Sequence, residues 1–206
     1  MRNKQESGTI LVKQGKYKNS SRFSVYLIKR FLRVIVRNLK GRRYNRLLDL
    51  GCGEGVPLVS IAPSLQGLRK IHGLDLDEDK ISMIRNNVPD GEFIKGSIYH
   101  LPYKNSEFDL VLCLEIFEHL RYPENAMEEI KRIASNDILF SIPNEPIWSI
   151  LNLLRLKYLR NLGNTPNHCQ KWTPREFENL VKKFYTVKSV ENVLPWTIVY
   201  CSVQDS

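Results

Sequence analysis

The chain has 206 residues, 42% of them hydrophobic and 26% charged, with a net charge of +9. That is enough apolar material for one domain with a full core, and no stretch reaches the ~18 charge-free apolar residues that a membrane-spanning helix needs. The four cysteines, Cys52, Cys113, Cys169 and Cys201, are scattered without a C-x-x-C pair, which argues against a disulfide framework or a zinc site and for reduced thiols in a cytoplasmic setting. No secretory signal is expected, because the basic N-terminus lacks an uninterrupted apolar core.

The charge is unevenly placed. Residues 1–43 hold 13 Lys or Arg and one acid, a net of +12, and residues 44–206 hold 18 basic and 21 acidic residues, a net of −3. A basic leader (1–43) therefore precedes a near-neutral domain (44–206), and such a leader suits a polyanionic neighbour. Residues 1–20 read as loose. From Arg22 to Lys40 a helical period puts Arg22, Lys29, Arg30, Arg33, Arg37 and Lys40 on one arc and Ile28, Phe31, Leu32, Ile35 and Leu39 on the other. This amphipathic helix either covers the domain or lies flat on anionic lipid.

Arg46 to Gly55 reads as a strand, a tight turn with glycines at 51, 53 and 55, and a helix over Val56–Leu65. Glycine there admits positive φ and close approach of a ligand. A dinucleotide fingerprint needs its third glycine where Val56 stands. The carboxylates Asp49 and Glu54 would repel a pyrophosphate and favour a cationic ligand instead. Next come a second strand, Ile71–Asp75, a helix capped by Asp77, and a third strand over Phe93–Ile98. Phe108–Leu114 is a near-continuous apolar run, as in a parallel strand buried on both faces. Asp75 ends the strand beside the turn, where an acid can accept both hydroxyls of a ribose.

The run Leu48-Asp49-Leu50-Gly51-Cys52-Gly53-Glu54-Gly55, followed by Gly73-Leu74-Asp75-Leu76-Asp77, resembles the cofactor half-domain of the class I S-adenosylmethionine (SAM) dependent methyltransferases. The resemblance covers about Leu47 to Val203. It implies an α/β, three-layer, Rossmann-like fold whose seven-stranded, mostly parallel sheet has an antiparallel last strand. It further implies SAM as cofactor, bound by Asp49, Gly51, Cys52, Gly53, Asp75 (ribose), Leu76 (adenine), Ser97, Ile98, Leu114 and Glu115. Ser97 stands where the family commonly has an acid for the adenine amino group.

Glu115, Glu118 and His119 have a spacing that could hold a divalent ion; the preferred reading gives them no metal, with Glu115 near the methionine end of the cofactor and Glu118 and His119 shaping the turn and the substrate side. A helix (Pro123–Ala134) and a fifth strand (Asp137–Ile142) follow. An apolar, cation-bearing insertion at about 145–172 then acts as a lid or plugs the core edge. His168 precedes Thr173-Pro174-Arg175-Glu176, a capping box, and is the candidate general base, with a structural role in the loop as the alternative. Tyr185–Val190 and Thr197–Val203 are the final strands. The expected activity is methyl transfer to a small-molecule acceptor of lipid-like or membrane-associated character, with peripheral contact to anionic membrane through the leader. An RNA methyltransferase and a non-catalytic SAM-binding protein are the alternatives; nucleic acid is less favoured because the leader has few aromatics.

Overall fold

The computed structural model describes residues 22–147 and 169–204. His168 and most of the apolar insertion (148–168) lie outside the described residues, as does the start of the leader. The seven strands form one sheet of order β3-β2-β1-β4-β5-β7-β6, and the chain divides into two compact units, Met1–Ser97 and Ile98–Ser206.

The first unit holds α1 (Arg22–Leu39), β1 (Arg46–Leu50), α2 (Val56–Ile61), β2 (Lys70–Asp75), α3 (Glu78–Asn87) and β3 (Glu92–Lys95). The strands pair in parallel, β1 on β2 and β2 on β3. Every residue of the apolar arc expected on α1 is buried: Ile28, Phe31, Leu32, Ile35 and Leu39 are all at most 9% exposed. Burying five large apolar side chains is worth ~10 kcal/mol against an extended chain, an upper bound. The arc is therefore part of the core, and the helix cannot also sink that arc into a lipid surface.

α2 stops at Ile61, short of the expected Leu65. Pro63 has no amide hydrogen for the carbonyl four residues back, and its ring crowds that carbonyl. The chain tightens instead into a 3₁₀ turn over Ala62–Ser64. β3 stops at Lys95 rather than Ile98, because its last paired residue lies opposite Asp75, where β2 ends. The Gly96 amide then donates to the Asp75 carbonyl at 3.0 Å as the chain turns away.

The second unit holds β4 (Phe108–Leu114), α4 (Pro123–Ile133), β5 (Ala134–Pro143), α5 (Pro174–Lys182), β6 (Tyr185–Val193) and β7 (Trp196–Val203). β5 pairs in parallel with β4 and antiparallel with β7, and β6 is antiparallel to β7. β7 is thus the reversed strand of the sheet. It keeps β5 paired as far as Pro143, opposite Trp196, so that strand outruns the expected Asp137–Ile142. Phe117, Phe140 and Phe177 meet edge-to-face with centroids 5.2 to 5.9 Å apart and fix α5 on the sheet. The expected capping box is present, with the Thr173 amide donating to Glu176 Oε2 at 2.9 Å. Cys52, Cys113 and Cys201 are buried and Cys169 is exposed, all as free thiols.

Candidate functional site

In the first unit the site is the turn between β1 and α2, fastened to the end of β2. The amides of Gly51 and Cys52 both donate to the Leu74 carbonyl, at 2.6 and 3.1 Å. The Gly53 amide donates to Asp75 Oδ2 at 2.9 Å, and the Asp77 amide donates to Asp75 Oδ1 at 3.0 Å. Asp77 in turn caps α3, accepting from the Asp79 and Lys80 amides. One carboxylate thus ties the glycine turn to the start of the next helix. The Asn87 side chain, which sequence reasoning missed, donates to the Glu54 carbonyl at 3.0 Å and secures the turn from the far end of α3.

Gly51, Gly53 and Gly55 all have positive φ, at 63°, 53° and 80°. Gly53 and Gly55 have different reasons to be glycine. A Cβ on Gly55 would stand 2.7 Å from Ile84 Cγ1, so that site serves packing of α3 on the turn. A Cβ on Gly53 would meet nothing nearer than the Gly51 carbonyl oxygen at 3.9 Å, so its backbone faces open space that a ligand could fill. Leu76, immediately after Asp75, is 71% exposed and offers an apolar side chain next to that carboxylate in the chain.

Asp49 departs from expectation. It is 2% exposed, and burial, helped by the nearby Asp75 charge, pushes its carboxyl up to about 8. It is largely neutral near pH 7, so the charge that the turn offers a ligand comes from Asp75 and Glu54. Burial, with the charges of Asp49 and Asp75 adding to it, also drives the Cys52 thiol well upward. Its sulfur packs where a Cβ on Gly73 would come within 3.0 Å. Cys52 therefore contributes backbone and packing rather than a reactive thiolate. Ser97 is half-buried just past β3.

In the second unit, Ile98 and Leu114 are each 8% exposed. Glu115, the first residue beyond β4, has φ of +58°, uncommon for a residue with a side chain. Its carboxylate is held on both sides: Ser141 Oγ donates to Oε1 at 3.0 Å and Trp196 Nε1 donates to Oε2 at 2.9 Å. Its amide donates to the Ser141 carbonyl at 3.1 Å. The sequence reading missed both partners, although a lone hydroxyl inside the apolar run of β5 was a usable signal. Glu118 is buried while His119 is exposed, its Nε2 3.9 Å from Glu118 Oε1. Among the described residues no group of three His, Cys, Asp or Glu side chains is gathered where it could hold a metal ion.

Residues 48–141, which run from within β1 through the glycine turn into β5, match the family model of a methyltransferase domain. Over these residues the chain is similar to the class I SAM-dependent methyltransferases. The domain is 29% identical over 97 residues to the mitochondrial ubiquinone biosynthesis O-methyltransferase of Saccharomyces cerevisiae, a match covering 45% of this chain and 31% of that protein. The chain spans less than half the length of the first curated relatives it matches. Among solved structures it superposes on a magnesium protoporphyrin IX methyltransferase from Synechocystis with bound SAH, at a TM-score of 0.69 and 13% identity, covering 97% of this chain and 94% of that one. It also superposes on a small RNA methyltransferase, at a TM-score of 0.70 and 20% identity, covering 86% of this chain and 25% of that one. Likeness at such identities shows the shared fold of the methyltransferase domain, and SAM is the cofactor of this class.

Proposed function

We propose that the chain is a SAM-dependent methyltransferase acting on a small-molecule acceptor, and that Asp49, Gly51, Cys52, Gly53, Asp75, Leu76, Ser97, Ile98, Leu114 and Glu115 line its cofactor. The observation that carries the reading is Asp75. Two backbone amides fix its carboxylate, and a carboxylate has about four acceptor positions in all. The remaining two suit the paired hydroxyls of a ribose. Exposed Leu76 beside it suits an adenine face, and the open side of Gly53 lets a ligand approach the main chain.

When bound, SAM supplies a methyl group on a sulfonium, a leaving group already activated for in-line displacement. The chain is then left with alignment and the exclusion of water. Glu115 fits an aligning role, because its strained backbone and its two side-chain donors hold the carboxylate in one orientation. Where the acceptor is a hydroxyl, His168 remains the candidate base. A small-molecule acceptor is supported by the ubiquinone-pathway relative, and a lipid-like one by the apolar, cation-bearing sequence of residues 147–160.

Calorimetric titration with SAM tests the reading. Wild-type chain is expected to bind in the micromolar range, and Asp75→Ala to bind at least tenfold more weakly, about 1.4 kcal/mol. Asp75→Asn keeps the side-chain shape and serves as the control for a turn that falls apart. Absence of SAM binding by a folded wild-type chain would refute the proposal. Binding without methyl turnover on any hydroxyl, amine or prenylated phenol acceptor would instead favour a non-catalytic role.

A further inference from the structure

The charge pattern of α1 outlasts the burial of its apolar arc. From Arg22 to Arg43 the chain carries eight Lys or Arg and no acid. At 100° per residue, Arg22, Lys29, Arg30, Arg33, Arg37 and Lys40 fall with Phe23 and Tyr26 inside an arc of about 120° that runs for about 27 Å. The six cations are exposed, and the two rings are 58% and 59% exposed. Among the described residues no carboxylate is ion-paired to Arg22, Lys29, Arg30, Arg33 or Lys40. Aligned like charges this close repel one another by a few tenths of a kcal/mol per pair, and in this helix no acid offsets the repulsion.

We propose that this face of α1 is a docking surface for an anionic phospholipid bilayer. Cations along a straight rod reach a planar array of phosphates simultaneously, and each is worth about 1 kcal/mol near such a surface. Phe23 and Tyr26 stand together at the start of the helix as an amphipathic anchor for the headgroup zone. The same placement disfavours a nucleic-acid strand. Tracking a strand calls for rings spaced to stack successive bases, yet beyond Tyr26 the exposed face offers cations alone. Because Ile28, Phe31, Leu32, Ile35 and Leu39 are committed to the core, the docking is shallow: the helix rests on headgroups and does not sink between acyl chains. Such contact is electrostatic, reversible and salt-sensitive. The inference rests on α1 alone and stands apart from the methyl-transfer reading.

Sedimentation of the full chain with vesicles tests it without using activity. The chain is expected to partition onto phosphatidylcholine vesicles containing roughly a third phosphatidylglycerol and not onto pure phosphatidylcholine, with binding lost as salt is raised. The triple variant Lys29→Gln, Arg30→Gln, Arg33→Gln changes exposed positions to another good helix former. It should keep the wild-type melting curve and lose about a hundredfold in partitioning. Phe23→Ala with Tyr26→Ala should lose several-fold while keeping the salt dependence. The proposal is overturned by equal binding to neutral vesicles, by a triple variant that binds like wild type, by failure of the wild type to bind anionic vesicles, or by tighter binding to single-stranded polyuridylate than to anionic vesicles at the same salt.

Discussion

Gly55→Ala asks whether the glycine turn is shaped by packing as well as by ligand access. At φ +80° the left-handed backbone costs a residue with a Cβ about 1–2 kcal/mol. The new methyl would also stand 2.7 Å from Cγ1 and 2.8 Å from Cδ1 of Ile84. Ile84 is fully buried, so it has no solvent to retreat into, and overpacking of this kind adds about 1–3 kcal/mol. The expected destabilisation is therefore about 2–5 kcal/mol, the sum of the two costs.

Gly53→Ala shares the left-handed backbone but meets nothing closer than 3.9 Å, so only the backbone cost of about 1–2 kcal/mol applies. Urea denaturation at constant m-value measures both. In an Ile84→Ala background the two clashing atoms are gone, and Gly55→Ala should fall to the cost of Gly53→Ala, a coupling of about 1–3 kcal/mol. Equal costs for the two glycines in the wild-type background, or an undiminished cost in the Ile84→Ala background, would refute the packing argument. The ligand role divides them the other way: Gly53→Ala should weaken SAM binding out of proportion to its stability cost, because its methyl occupies the open side of the turn.

Two further outcomes follow from charges. Asp49 has its folded-state carboxyl raised to about 8, so it favours the folded chain fully below the ordinary carboxylate value. That contribution is lost as pH rises from about 4 through about 8; Asp49→Asn should therefore gain stability relative to wild type across this window, read as the difference between their melting temperatures at each pH. Arg132 donates to both oxygens of Glu129 at 2.8 and 2.9 Å and to the carbonyls of Tyr103 and Leu101 at 2.7 and 2.9 Å. Arg132→Ala should cost about 2 kcal/mol by chemical denaturation at neutral pH. The hydrogen bond from Arg132 holds the Glu129 carboxyl below its usual range. Its share of the stability is present above the ordinary carboxylate value and lost as pH falls through the lowered one, so the gap between variant and wild type should narrow in acid.

Much of the fold was legible because its signals are local. The apolar arc of α1, the alternation of strand and helix from Arg46 to Asn87, the Asp77 cap and the Thr173–Glu176 box each depend on residues a few positions apart, whose periodicity and hydrogen-bonding chemistry are written in the chain. The glycine turn and Asp75 were readable for the same reason. Strand ends were not, because β3 and β5 stop where a partner strand stops, and a single chain segment does not carry that information.

The sequence by itself determined which residues could be core, turn or charge, since those follow from side-chain chemistry and spacing. Only the tertiary structure decided what each became. It buried Asp49 and so neutralised a carboxylate that the sequence counted as charged, because desolvation depends on neighbours brought in from β2. It set Ser141 and Trp196, 26 and 81 residues away, as the partners of Glu115. It also assigned the apolar arc of α1 to the interior and left its cations outside, a choice between core and membrane that amphipathicity alone leaves open, because burial is a property of the assembled fold.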